Sequence, residues 1–519
     1  MKLALSSMIS KIDAFCEAEL GIPVQSLMQK SGVAVADAVR KRVPQGSQVV
    51  ILAGSGNNGG DGYAAACELA SEYKVIVYDV FGKGQKSAAG KYFLKKFRDA
   101  CGDIRVYSNA APFKEDVNSS SCVVDAIFGT GFAGEMPEAL RALAITVREA
   151  VNVVKIAVDV PLGINPDDGS VSDFVISVSA TVALSYIKPG IVSYPARAYV
   201  GEIIYADLGI PEKIVDDKFK FRYHMIDRES VRKSLPVREE NSNKGTFGKL
   251  LVIAGSEKYR GAAHLACEAA LRGGVGLVTF LGCESLVGEL SQKYPEIIYK
   301  KKAIDNSLTE ADVKEITELS ASHSATLVGS GSDNTEGLLR LVKALLSEKG
   351  APLILDADAI NALAADGDAG INALKKSKRA VILTPHPLEF SRLARTDVAY
   401  VQLHRIEMAE RFAKENKIIL VLKGAGSVIT NGTDVYINVS GSSALAKAGS
   451  GDVLAGLLSA FVAMNKCAPE IAAALAVYFH AVAGQTLAGE FSAYGVTPSD
   501  LPKAIAREIA DITSAAEDF

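Results

Sequence analysis

Short runs of apolar, β-branched residues alternate along this chain with stretches whose apolar positions recur every three to four residues. From Gln48 the chain reads QVVILAG, the kind of run that is buried on both faces of a parallel sheet. A glycine-rich loop follows, Gly54 to Gly62, and then the helical pattern YAAACELASEY. Further strands are predicted at KVIVYDV (74–80), CVVDAIF (122–128) and VVKIAVDV (153–160), and an amphipathic lead-in helix over 8–40. Strands alternating with helices predict a doubly wound α/β sheet.

After Ile204 the pattern loosens through a charged segment and then restarts. Strands are predicted at 248–256, 276–282, 325–332, 352–359, 380–386 and 418–424, with a helix over GAAHLACEAALRGG that ends at glycines. Two more helices close the pattern, one from Gly451 and one from Glu470 to Gly489. The expected organisation is two α/β domains, 1–213 and 228–519, joined by a linker at 214–227.

Composition narrows the partners. At 519 residues the chain exceeds one ordinary core, and 49% hydrophobic with 22% charged residues is a globular balance. A net charge of −4 argues against nucleic acid or an anionic membrane as the main partner. No uninterrupted apolar run approaches the ~18 residues that would predict a membrane span. The seven cysteines, at 16, 67, 101, 122, 267, 283 and 467, form no CxxC pair, so no zinc knuckle or thioredoxin-like site is expected. A cytoplasmic setting is expected, and the amphipathic lead-in is compatible with a homo-oligomer.

Candidate chemistry sits where predicted strands meet glycine turns. In the first half the segment 54–62 carries Asn57, Asn58 and Asp61 at a strand-to-helix junction, where backbone amides and a helix N-terminus favour phosphate. It is neither a GxGxxG fingerprint nor a Walker loop. Asp125 precedes a second glycine turn, IFGTGFAGE (127–135), and Asp159 precedes the turn Pro161-Leu-Gly163. Each aspartate alone has a second reading, as a turn cap. Three such loops at strand carboxyl ends predict one shared pocket.

In the second half LAKAGSGDVLAGLL (445–458) places amides of Gly449, Ser450 and Gly451 at a helix start beside Asp452. An anion hole next to a carboxylate is what phosphoryl transfer from a nucleotide to a hydroxyl needs. A plain N-cap is the other reading. Lys423-Gly-Ala-Gly-Ser427 forms a second glycine turn, LDADAIN (355–361) sets Asp356 and Asp358 at a strand end, and LTPHPLEF (383–390) sets His386 and Glu389 at another.

The strings GSGNNGGDGYAAA, LMQKSGVAVAD, DAIFGTGFAGE and AVDVPLGINPDDG closely resemble the NAD(P)HX epimerase family, the YjeF N-terminal domain, over roughly residues 8–213. The resemblance implies a Rossmann-like domain. It implies that Asn57, Asn58, Gly59, Gly60 and Asp61, with Gly129, Thr130, Gly131, Phe132, Ala133, Gly134 and Glu135, hold the hydrated dinucleotide. It also implies that Asp159 meets the damaged ring, stabilising a cation or moving a proton, and that K⁺ is held by Asn58, Asp125 and the backbone of Leu162. Leu162 stands where the family often has Ser, which a backbone ligand tolerates.

The strings from NKGTFGKLLVIAGS through AGSGDVLAG resemble the ribokinase-like superfamily, and within it the ADP/ATP-dependent NAD(P)HX dehydratases, over roughly 225–510. That implies hydrate binding by Ala262, Gly331, His386 and Asp452, with Asp452 as base. It implies ADP or ATP binding by Lys423, Gly424, Ala425, Gly426, Ser427 and Gly451, with Mg²⁺ near Glu389. Departures are Leu388 after LTPHP, Gly441-Ser-Ser, and Ser330 between Gly329 and Gly331. Together the two halves imply epimerisation of R and S hydrates followed by dehydration of the S form. The alternative is a ribokinase-like small-molecule kinase fused to a dinucleotide-binding module.

Overall fold

The computed structural model describes residues 1–108, 110–131 and 136–514. Two compact units emerge, one of Lys2–Tyr223 and one from His224 onward. The segment predicted as a linker carries a helix, Glu212–Lys218, and a strand, Tyr223–Ile226.

Among the described residues, the parallel sheet of the N-terminal unit has seven strands: β1 (Gln48–Ala53), β2 (Lys74–Asp79), β3 (Asp103–Val106), β4 (Cys122–Ala126), β5 (Val154–Val158), β6 (Ala180–Leu184) and β7 (Glu202–Ala206). They pair in the order β3-β2-β1-β4-β5-β6-β7, parallel throughout. Side chains alternate across the sheet. Val49, Ile51 and Ala53 pack with Val35, Val39 and Ala65 on one face, while Val50 and Leu52 pack with Phe113, Leu140 and Leu143 on the other. From β1 the chain steps outward to β2 and β3, then returns to the other side of β1 as β4. The crevice between β1 and β4 is therefore the switch point, where ligands of such sheets collect.

The predicted single lead-in helix is two, Ser6–Ala18 and Val24–Arg40, separated at Gly21 in a left-handed conformation and at Pro23. The apolar face of the first packs inside this unit, with Ile12 and Cys16 against Tyr186, Val215 and Phe221. That part of the lead-in's apolar face is buried within the unit.

The second sheet contains β8 (Lys249–Ile253), β9 (Leu277–Gly282), β10 (Ile298–Lys301), β11 (Ala325–Val328), β12 (Leu353–Leu355), β13 (Val381–Leu383), β14 (Ile419–Leu422), β15 (Val428–Thr430) and β16 (Val435–Asn438). Their order is β16-β15-β14-β13-β12-β11-β8-β9-β10. All pairs from β14 to β10 are parallel, and β15 and β16 add antiparallel pairs at one side. The switch point lies between β8 and β11.

Three helices, Ser450–Met464, Pro469–Gly495 and Leu501–Ser514, follow the last strand. The second is long and apolar enough to cross a membrane, yet Leu475, Phe479, Ala483 and Leu487 are buried in the core of this unit. The first lies against Arg260–Arg272 so closely that a Cβ on Gly456 would fall 2.1 Å from the carbonyl oxygen of Ala266. Gly456→Ala must push the Asp452 helix outward. We expect a loss of about 1–3 kcal/mol, the usual range for overpacking, read as a lower urea midpoint.

Candidate functional sites

The loop after β1 is shorter than its glycines predict. A helix begins at Asn57 and runs to Leu69, so Gly59, Gly60 and Asp61 belong to its first turns. Glycine is required by contact here: a Cβ on Gly59 would sit 1.8 Å from the Gly54 carbonyl oxygen, and one on Gly54 2.0 Å from that of Ile127. The tight approach draws the helix start and the β4 turn to one crevice, with the helix's first amides directed toward it.

A cavity of about 470 Å³ opens there. Its walls include Asn57, Asn58, Asp61, Gly129, Thr130, Gly131 and Asp159 from the predicted set. Gly59 and Gly60 lie behind the wall, packed on Gly54 and Met28. Phe132, Ala133, Gly134 and Glu135 fall outside the described residues. Asp125 and Leu162 are buried beneath the cavity. The Asp125 carboxylate accepts the amides of Ile127 (3.2 Å) and Leu162 (2.7 Å) and faces no cationic side chain among the described residues. Burial, offset in part by those two amides, lifts its pKa to about 6.

The sequence reading missed Lys188, a nearly inaccessible lysine at the end of β6. It is ion-paired to Asp159 and donates to the Leu184 carbonyl at 3.2 Å. Asp159 has a left-handed backbone, φ 68°, and its Oδ1 also accepts the Leu184 amide at 3.2 Å. Its Oδ2 faces the Gly129 turn, 3.0 Å from where a Cβ would stand. Asp13, from the first helix, is a further missed wall residue. Both had a signal, as lone charges in apolar surroundings: SYIKPGIV for Lys188 and the Ile9–Ile12–Cys16 face for Asp13. Asp61 is raised well above the carboxylate range by burial and by Asp159, against the pull of a Ser31 hydrogen bond. Asn58 is buried, and its Nδ2 has no partner in the protein.

In the C-terminal unit the Asp452 helix starts at Ser450, behind Gly449 at φ 99°. Only part of the predicted anion hole is available. The Ser450 amide donates to the Lys447 carbonyl at 3.2 Å, and its hydroxyl lies 3.1 Å from His480 Nε2, leaving the amides of Gly451 and Asp452 as the helix's own orphans. Lys423 Nζ donates to Asp356 Oδ1 at 3.0 Å and stands 3.3 Å from where a Cβ on Gly451 would be. Asp356 is buried and also accepts Ser330 Oγ (2.8 Å) and Thr384 Oγ1 (2.7 Å). Ser330, a departure from the family turn, thus completes the shell of Asp356.

Burial raises Asp452 to about 7, helped by Asp356 and opposed by Lys423. Burial also raises Glu389, again against Lys423. Burial opposes the charge on Lys423, but Asp356 and Glu389 raise its pKa overall. His386 caps the Pro387–Ala394 helix: its Nδ1 accepts the amides of Leu388 and Glu389, while Glu389 Oε2 accepts the His386 amide at 2.7 Å. Gly331, at φ 63°, is packed on Ala262, their Cβ positions 2.6 Å apart. Under the turn of Gly424 and Gly426, buried Arg405 donates to the carbonyls of Leu422 and Lys423, both at 3.1 Å. Ser427 Oγ closes that turn on the Gly424 carbonyl, and Ala425 lies between.

Each unit thus gathers carboxyl groups around one lysine beyond the carboxyl ends of its parallel strands, which defines the class: an α/β enzyme with an acid–base cluster in each unit. A family model described as NAD(P)H-hydrate dehydratase matches residues 250–507, and one described as YjeF-related protein N-terminus matches 24–190. A bifunctional NAD(P)H-hydrate repair enzyme of Moorella thermoacetica is 32% identical over 96% of this chain and 95% of its own. One of Thermofilum pendens is 31% identical over 100% and 99%. The crystal structure of a Bacillus subtilis ADP/ATP-dependent NAD(P)H-hydrate dehydratase with ATP/Mg²⁺ is 30% identical, covering 56% of this chain and 98% of that one with a TM-score of 0.48. The chain belongs to the family of bifunctional NAD(P)H-hydrate repair enzymes.

Removing Lys188 leaves the Asp159 carboxylate buried without its cation. Lys188→Met is therefore expected to destabilise the N-terminal unit by about 3–5 kcal/mol at pH 7. Urea unfolding of the variant beside the wild type measures the loss.

Proposed function

We propose that the N-terminal cavity interconverts the R and S forms of hydrated NAD(P)H and that the C-terminal site dehydrates the S form with ADP or ATP. The observation that carries this reading is Asp452, a carboxyl group poised near neutrality beside two unoccupied helix amides and a buried lysine. In the second site Asp452 takes the proton of the hydrate's hydroxyl. The oxygen then attacks the terminal phosphorus of the nucleotide, supported by the amides of Gly451 and Asp452 and by Lys423. Phosphate leaves that carbon far more readily than hydroxide, the ring nitrogen's lone pair closing a C=N⁺ bond, and loss of a proton from the neighbouring ring carbon to water then restores the dihydropyridine ring. Lys423 to Ser427 form the nucleotide turn, and Ala262, Gly331 and His386 bound the hydrate.

The donor sets suit the ions the family implies. Asp125, a buried carboxylate answered only by amides, fits a monovalent cation such as K⁺, which Asn58 would meet through its side-chain oxygen, while its unpartnered Nδ2 is a donor that calls for an acceptor on the bound dinucleotide. The Leu162 carbonyl already accepts the Ile176 amide at 3.1 Å and would add its second lone pair. Bound there, K⁺ would supply a fixed positive charge under the phosphate-facing turns. Glu389, held in its capping box, fits Mg²⁺ through water, and the ion would supply charge neutralisation at the nucleotide phosphates. Seven free thiols and no disulfide suit a reducing cytoplasm.

The test uses purified protein with separated hydrate epimers, following recovery of reduced-nicotinamide absorbance. The S form should recover with ADP or ATP, and the R form should recover in the same mixture after a lag. No recovery with either nucleotide rejects the dehydratase reading. Phosphorylation of an unrelated alcohol in its place would favour the kinase alternative.

Because Asp452 acts as its carboxylate, dehydration should fall as pH drops through about 7. The slope should approach roughly tenfold per pH unit. Asp452→Asn should lower turnover by about 10²–10⁴-fold. A pH–rate profile of the wild type and the variant checks both.

A further inference from the structure

Among the carboxyl groups of the N-terminal cavity, Asp13 stands apart. Asp159 is tied through Oδ1 to Lys188 and to the Leu184 amide, and Asp61 is buried beside Ser31. Asp13 lines the same cavity yet has no hydrogen bond or ion pair with any described residue. It reaches the cavity from the Ser6–Ala18 helix, whereas Asp159 reaches it from the end of β5. The unbonded Oδ2 of Asp159 faces the Gly129 turn. Two carboxyl groups from different walls thus face one space.

Epimerisation has a matching requirement. Hydration of an enamine places the hydroxyl on the carbon bonded to nitrogen, so a hydrated nicotinamide ring carries it beside the ring nitrogen. Inverting that carbon through C–O cleavage needs an acid where hydroxyl departs and a base where water returns. A single group serves one face well and the other poorly, because proton transfer requires contact distance.

We propose that Asp13 is a catalytic residue of the epimerase site, the proton donor to the departing hydroxyl, working opposite Asp159. This rests on the epimerase reading of the cavity. The Asp13 carboxyl passes its proton to the hydroxyl oxygen, and the C–O bond breaks with its electron pair on oxygen, releasing water. The ring nitrogen's lone pair closes a C=N⁺ bond. The Asp159–Lys188 pair faces this cation with a carboxylate. Water adds to the opposite face of the same carbon, forming the new C–O bond, and its proton passes to Asp159. Return of that proton to Asp13 through cavity water resets the site, and the reverse reaction uses the two groups in exchanged roles. No oxidant or reductant is consumed.

Burial of Asp13, offset in part by Lys188 and reinforced by Asp159, lifts its pKa to about 6, so a proton is held more readily than on an ordinary carboxylate. The charged and titratable groups sharing the cavity are Asp61, Asp159, Lys86, Tyr186 and Lys188. Asp13 does nothing visible for the fold: it caps no helix and bridges no elements.

The test is Asp13→Asn in the full-length protein, with R-to-S conversion of hydrated NADPH followed in H₂¹⁸O. Wild type should place ¹⁸O in the newly formed epimer. Asp13→Asn should slow conversion by about 100-fold or more, with KM for the hydrate changed by less than about threefold and labelling slowed in parallel. Asp13→Glu, which keeps the proton, should recover at least about tenfold over Asp13→Asn, guarding against a merely misfolded variant. Conversion by Asp13→Asn within about threefold of wild type overturns the proposal while leaving the epimerase reading intact. So does wild-type conversion without ¹⁸O uptake, or an Asp13→Glu variant no better than Asp13→Asn. Absence of conversion by the wild type itself overturns both.

Discussion

A charged group buried in protein must be answered by an opposite charge, by hydrogen bonds or by a proton, because desolvation otherwise costs several kcal/mol. Both sites are built on that constraint in the same way. In the N-terminal unit Lys188 faces Asp13, Asp61 and Asp159; in the C-terminal unit Lys423 faces Asp356, Glu389 and Asp452. One ammonium cannot neutralise three carboxylates. The group nearest the lysine takes the ion pair, and the others are left to hold protons at higher pH than free carboxylates do. Burial, reinforced by excess acid around a single cation, is thus the means by which ordinary aspartates become proton donors and acceptors near neutrality.

The backbone brings these groups together. A parallel sheet sends all its carboxyl ends to one edge, and a reversal of strand order opens a crevice there. Residues far apart in sequence, such as Asp61 after β1, Asp159 after β5 and Lys188 after β6, converge without long loops. Contact between turns then demands residues without side chains. Gly54 and Gly59 are needed because the β1 turn touches the β4 turn and itself, not because phosphate requires glycine. The same segment therefore satisfies a packing rule and a binding rule at once.

Much of this was legible from the chain alone, and the failures have physical causes. Strand cores such as Gln48–Ala53 and Ile419–Leu422 are short apolar runs that only a buried strand explains. Strands such as Asp103–Val106 and Ile298–Lys301 lie at sheet edges, carry charges and show no apolar run. The start of the helix at Asn57 was hidden because glycines are poor helix formers, and tertiary contact overrode that propensity. Loop residues of the site stood out as polar groups among glycines. Lys188 and Asp13 showed only as lone charges in apolar surroundings, because the cavity they face is assembled from distant elements, and such convergence has no local signature.

The placement of strain follows the same division. Asp159 adopts a left-handed backbone that aspartate visits at some cost, whereas the neighbouring turn assigns its own left-handed position to Gly163. A glycine at 159 would relieve the backbone but remove the carboxylate that holds Lys188. The strain persists because the ion pair, the ladder bond from the Asp159 amide to Val182 and the Leu184 amide together fix the residue from three sides. Side-chain chemistry decided the residue there, and packing decided it at Gly54 and Gly59. That contrast separates the residues that shape the cavity from those that act within it.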